Sequence, residues 1–291
     1  MKRILTNPAL VAFISIWLAI FILCSVLSGI AYSVNPDTVS PNPSNDSQTP
    51  VNTTPAVTTP PSKPQTTEPA PKSPYEDLVY SADNAQTLIY LDAGHGWYDN
   101  GTSVKVNEDG IIDPEGEYVF EKNITLAMTK KLKQALEKMG YTVGETRPGD
   151  NDSDCPIPLV NGMVYAQDRP GYVNSKNADY FISLHCNSYT DSTAYGTRIY
   201  YSPNFAENTT FATLVSQALM ADLGDRMQRE VRLYSGNNLA IPRESAMPTL
   251  LIETGFLTNQ TDLDMLVDPA WQDEFVCAVA KGLDAHIHAE N

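Results

Sequence analysis

Residues 87–96 read TLIYLDAGHG, and the order of chemistry within this stretch decides the fold. Thr87 to Leu91 is a short apolar run of the kind a buried strand needs, and it stops at Asp92-Ala93-Gly94, which reads as a turn. The next regular pattern begins at Glu121. There Ile124, Met128, Leu132, Leu136 and Met139 share one helical face until Gly140 ends it. Segments 141–146, 180–184, 196–201 and 249–252 read as further strands, and 205–223 and 271–288 as helices. A helix across 165–177 is kinked or delayed by Pro170-Gly171. Strand–helix alternation of this kind predicts an α/β fold: a single domain over 77–291, with a mostly parallel twisted sheet flanked by helices on both faces. No internal repeat is visible.

Upstream the composition changes twice. No charged residue occurs between Arg3 and Asp37, and 10–31 is almost continuously apolar. About 20 apolar residues suffice to span a bilayer as a helix. Lys2 and Arg3 precede the span, so residues 1–9 are expected to stay in the cytoplasm and the rest to cross. The competing reading is a cleaved signal peptide and a secreted product, for which Gly29-Ile30-Ala31 offers a cleavage site. The length favours a transmembrane signal anchor. Residues 32–76 are rich in Pro, Thr and Ser; eleven of the 21 prolines lie between Asn35 and Pro74. Such a segment buries no core and reads as a disordered, extended linker.

A net charge of −16 with no basic patch excludes a nucleic-acid partner. The four cysteines include Cys24 inside the apolar span. Cys155, Cys186 and Cys277 remain, an odd number that makes no disulfide framework.

Four residues are candidates for chemistry. His95 sits between Gly94 and Gly96, which leave backbone room beside the imidazole for a metal or substrate. Taken alone, it also fits a hydrogen-bonded structural histidine. Glu121 precedes Ile124 by three and Met128 by seven residues, so helical spacing puts it on the apolar face. A carboxylate buried there needs a cation, although a first-turn glutamate also suits the helix dipole. His185 ends the run YFISL on the face of Phe181 and Ser183. Two histidines and a carboxylate make a common catalytic zinc set. Glu253 closes the run TLLI, and the economical reason for it is a general base; a partner for Arg243 is the plainer one. His286 and His288 are assigned to the surface or to C-terminal capping. Asp150, Asp152 and Asp154 lack the Gly and Glu of a calcium loop and read as a solvated acidic turn.

The segments LDAGHGWYDNGT, FEKNITLAMTKKLKQALEKMGYTVGETRPGD, DRPGYVNSKNADYFISLHCNS and MPTLLIETGFLTNQTD, in this order, resemble zinc-dependent N-acetylmuramoyl-L-alanine amidases of the Amidase_3 type. The resemblance implies zinc held by His95, Glu121 and His185, with Glu253 as base. It implies hydrolysis of the amide between N-acetylmuramic acid and L-alanine in peptidoglycan, by attack of zinc-activated water. The expected location is the cell membrane, with a single-pass anchor and the catalytic domain outside the cytoplasm. Peptidoglycan is the expected partner, and the sequence leaves open whether an activator protein is another. Ala93 replaces the family's usual Pro, the segment 103–118 is longer than its usual connection, and Arg198 stands where the family often has a smaller residue. The alternatives are a zinc peptidase cutting another wall peptide bond and a catalytically silent wall-binding domain.

Overall fold

The computed structural model describes residues 72–289 with the exception of Gln228. Its frame is a sheet of six strands: β1 (Leu88–Ala93), β4 (Thr142–Glu145), β5 (Tyr180–Asn187), β6 (Arg198–Tyr201), β7 (Arg232–Ser235) and β8 (Thr249–Phe256). They lie in the order β4-β1-β5-β8-β6-β7. Every neighbouring pair is parallel except β6 and β8, so the sheet is mixed with a parallel majority. A separate antiparallel ribbon joins β2 (Ser103–Val106) to β3 (Glu117–Phe120). The helices are α1 (Glu121–Lys138), α2 (Asp168–Asn174), α3 (Asn208–Leu223), α4 (Ala240–Glu244), α5 (Gln260–Val267) and α6 (Pro269–Ala289).

Because side chains alternate along a strand, each sheet face has its own core. Ile89, Leu91, Ile182, Leu184, Leu250 and Ile252 pack with α1, α3 and α6 in the larger one. Tyr90, Phe181 and Leu251 pack with Val173 of α2 and Ile241 of α4 in the smaller one. The stripe expected on α1 faces inward, with Met128, Leu132 and Leu136 fully buried. At about 1.5–3 kcal/mol for each large apolar side chain removed from water, this stripe is what docks α1 on the sheet. The helix stops as expected: Gly140 N–H returns to Glu137 O at 3.0 Å and Tyr141 N–H to Leu136 O at 3.1 Å.

Several details differ from the sequence expectations. β5 and β8 run past their expected ends, which places His185 and Glu253 inside strands rather than at their tips. The ribbon β2–β3, strand β7 and helices α4 and α5 were not expected. α2 starts at Asp168, so Pro170 falls in its first turn, where it costs no hydrogen bond. His286 is a correction. It is fully buried, stacked on Phe211 with centroids 4.9 Å apart, and serves the core rather than the surface. His288 is exposed, 3.4 Å from Asp284.

A turn of 3-10 helix at Pro74–Asp77 carries Tyr75, whose hydroxyl bonds Asp273 at 3.0 Å, so folded structure begins within the last residues of the 32–76 segment. The span at 10–31 and residues 32–71 lie outside the described residues. Among the described residues no helix is long and apolar enough to cross a membrane.

Candidate metal centre

β1 delivers His95 to the carboxyl end of the sheet through a tight turn. His95 and Trp97 both take left-handed backbone conformations, with φ of 62° and 54°. Such values are uncommon for non-glycine residues and need support from the surroundings. Arg169 supplies it: its guanidinium donates to His95 O at 2.7 Å and Ala93 O at 3.0 Å, and pairs with Asp92 at 2.6 Å. Asp150 accepts from Trp97 N–H at 2.7 Å. Asp99, four residues on, lies 2.8 Å from His95 Nδ1 and so fixes the ring with Nε2 turned to the site.

Nε2 of His95 lies 3.1 Å from Oε1 of Glu121, and Nδ1 of His185 lies 3.2 Å from the same oxygen. Glu121 is the first residue of α1 and is 2% exposed. It does not cap its own helix. Oε2 accepts from Thr102 N–H at 2.8 Å and Oε1 from Cys186 N–H at 2.9 Å, which aims the carboxylate at the two imidazoles. The donor atoms of His95, Glu121 and His185 lie within 4.8 Å of one another. The helix-dipole reading of Glu121 therefore gives way to the cluster.

Glu253 stands directly across from His185, on β8. Its Oε2 is shut away from solvent without a hydrogen-bond partner, and burial raises its pKa. Arg243, the plainer partner, pairs with Glu244 instead. On the other side of β8, Arg198 is opposite Glu253.

Charge in the cluster is shared. Burial opposes ionisation of Glu121, but hydrogen bonds from His185 and His95 hold its carboxyl well below the usual range. Burial also opposes charging of His95, yet Asp99 and Glu121 carry its pKa up to about 9. A proton on this cluster does the electrostatic work that a bound cation would do, so metal uptake should weaken as pH falls. Two imidazoles and one compensated buried carboxylate, with donor atoms this close together, could hold a metal ion.

The space beside His95 is not empty, as the flanking glycines suggested. A side chain at Gly94 would collide with the ring of His185, and one at Gly96 with Arg147. The glycines let protein side chains close in. Asp150 is no solvated acidic residue either, since Arg147 at 3.0 Å and Lys122 at 2.9 Å converge on it. Asp92, Asp99, Arg147 and Arg169 were not singled out from the sequence. Asp92 is wholly buried. Burial would raise its carboxyl, but Arg169, His185 and the hydroxyls of Ser183 and Thr146 outweigh that and hold it at about 2. Cys155, Cys186 and Cys277 are all free thiols.

A donor set able to take a metal, beside a buried carboxylate with no bonding partner, is the equipment of a hydrolase. The family profile of the Amidase_3 N-acetylmuramoyl-L-alanine amidases matches residues 89–285. The germination-specific N-acetylmuramoyl-L-alanine amidase of Bacillus subtilis is 27% identical over 199 residues, 67% of this chain and 78% of that protein. The probable cell wall amidase LytH of Staphylococcus saprophyticus is 31% identical over 204 residues, 68% of this chain and 57% of that protein. Among solved structures, the Clostridioides difficile CwlD amidase in complex with the GerS lipoprotein superposes with a TM-score of 0.57. It is 26% identical and covers 70% of this chain and 99% of that one. The chain belongs to the Amidase_3 family of N-acetylmuramoyl-L-alanine amidases. It is an enzyme of peptidoglycan amide hydrolysis, acting in cell-wall remodelling.

Proposed function

We propose that His95, Glu121 and His185 hold a zinc ion and that Glu253 is the general base for cleavage of the N-acetylmuramoyl–L-alanine amide. The observation that carries this reading is the buried Glu121 carboxylate bonded between two imidazoles, with the unpartnered Glu253 one strand away. Zinc in such a set supplies Lewis acidity, making water nucleophilic near neutral pH and polarising the carbonyl. Glu253 takes a proton from the attacking water as the new C–O bond forms. It passes that proton to the alanine nitrogen as the C–N bond breaks, leaving a lactyl carboxylate and a free amine. Burial suits Glu253 to this, because a carboxylate with a raised pKa is a stronger base. Asp99 and Arg169 hold His95 in place throughout.

The test is mass spectrometry of muropeptides after digestion by the 75–291 fragment. Intact stem peptides with a new L-alanine amine are expected, abolished by a chelator and restored by zinc. Cleavage within the stem instead would replace the amidase reading by a peptidase one.

The same proposal includes place. The uncharged 10–31 segment anchors the chain in the cell membrane, and 32–76 spaces the catalytic domain from the bilayer toward the wall. Full-length protein should then fractionate with membranes and resist salt extraction. A mature N-terminus near Tyr32 would show a secreted enzyme.

A further inference from the structure

We infer that Arg198 is a substrate-binding residue that takes a carboxylate of the peptide stem; the inference rests on the amidase reading of the site. His185 of β5 is in register with Glu253 of β8, Glu253 with Arg198 of β6, and Arg198 with Arg232 of β7. Residues in register share a face of the sheet. The four side chains therefore form one row that starts in the metal cluster, passes the base and ends in two arginines. With strands about 4.8 Å apart, Arg198 is rooted roughly 5 Å beyond Glu253 and Arg232 roughly 10 Å beyond it.

Like charges directly opposite each other destabilise a strand pair. Among the described residues, neither arginine lies within ion-pair distance of a carboxylate; the charge that Arg198 feels is that of Glu253 opposite it, whose ionised form it favours. The Nε of Arg198 is buried without a hydrogen-bond partner. Its guanidinium is held in place, with the central carbon 4.6 Å above the ring of Phe256. A bulge in β8 brings Phe256 opposite Asn187 and so onto this face. The Oδ2 of Asp262 fixes both flanks, accepting from Phe256 N–H at 2.8 Å and Gly196 N–H at 2.7 Å. A planar cation fixed on an aromatic face, with no hydrogen bond from its guanidinium among the described residues, is built for a carboxylate.

The substrate supplies one at the right distance. Beyond L-alanine the stem continues with a D-glutamyl residue that carries a carboxyl group, free in some walls and amidated in others. An extended chain advances about 3.3–3.6 Å per residue. A carboxylate one residue past the cleaved amide thus comes within reach of a side chain rooted one strand beyond the base. Arg198 favours the free acid form of that residue, and Arg232 extends the positive row outward.

The probes are N-acetylmuramoyl-L-alanyl-γ-D-glutamyl-L-lysine and its counterpart whose D-glutamyl α-carboxyl is a carboxamide, so that the pair differs in that one carboxylate. Binding is measured by calorimetry on Glu253→Gln protein with zinc present, and kcat and KM on the active enzyme. Arg198→Gln should weaken binding and raise KM roughly tenfold for the acid form, with the amidated form changed less than about twofold. Arg198→Lys keeps the charge but not the planar fork. It should lose roughly two- to fivefold on the acid form alone, and it serves where the Gln variant fails to fold. Equal loss on both probes, or no loss on either, overturns the proposal. If acid-selective binding depends on Arg198 but wild-type enzyme frees no alanine amine from either probe, the carboxylate site stands and the amidase reading of the metal centre falls.

Discussion

Glu253→Gln should keep its zinc and lose turnover by about 100-fold or more, whereas Glu121→Ala should lose zinc and activity together. The two glutamates are distinguished by what surrounds them. Glu121 Oε1 is already shared between His95 and His185 at 3.1 and 3.2 Å, so removing it leaves two imidazoles without the charge that gathers them. Excess zinc should restore part of its activity. Glu253 touches neither backbone N–H nor hydroxyl through Oε2, and its amide isostere keeps the size of the side chain while refusing the proton. Elemental analysis of zinc and rates on muropeptides, measured on both variants, check this. Metal loss in Glu253→Gln with retention in Glu121→Ala would reverse the assignments.

Arg169→Met should be the most destabilising of the substitutions around the site. It leaves Asp92 as an unpaired charge in a fully buried position, which costs about 3–5 kcal/mol, or a fall in Tm of roughly 10 °C for a domain of this size. The double variant Asp92→Asn, Arg169→Met removes the stranded charge and should recover most of that stability. It should not recover zinc affinity, because the bond from Arg169 to His95 O is still missing. Thermal melting and zinc titration of the three proteins read the two effects separately. A single variant within about 1 kcal/mol of wild type would show that the pair is idle. The pair also sets an acid limit. Since the folded pKa of Asp92 lies below its ordinary 3.8, its stabilisation is complete above that value and is lost as pH falls toward about 2.

How much of this was legible beforehand follows from how local each signal is. The strands with apolar runs and the α1 stripe were visible because burial on one or both faces writes a period into the sequence. The β2–β3 ribbon was not: none of its residues is fully buried, Ser-Val-Lys-Val alternates over only four positions, and Glu-Tyr-Val-Phe does not alternate. Strand β7 is exposed on an edge for the same reason. In the site, His185 and Glu253 stood out as polar residues closing apolar runs, Glu121 as a carboxylate in phase with an apolar helix face and His95 as a histidine between glycines, and the structure gathers them. Asp92 and Arg169 are 77 residues apart, and each alone resembles a solvated charge. Their pairing exists only once β1 and α2 meet. His286 was misread because a histidine in a last helical turn suits a dipole. Here α6 is packed against both α1 and α3, which buries that turn.

The ribbon has a consequence for how such enzymes diversify. Glu121 N–H donates to Thr102 O at 2.9 Å while its carboxylate accepts from Thr102 N–H, so the excursion over 103–120 is pinned at its root, and Gln260 ties its tip by accepting from Ile112 N–H at 2.8 Å. The exposed side chains of the excursion, such as Ile111 and Tyr118, can change without touching the bonds that hold the glutamate. The outer surface of the excursion is thus an interchangeable part, like a tool head on a fixed shaft. Variation in the rim and constancy in the chemistry need not compete for the same residues.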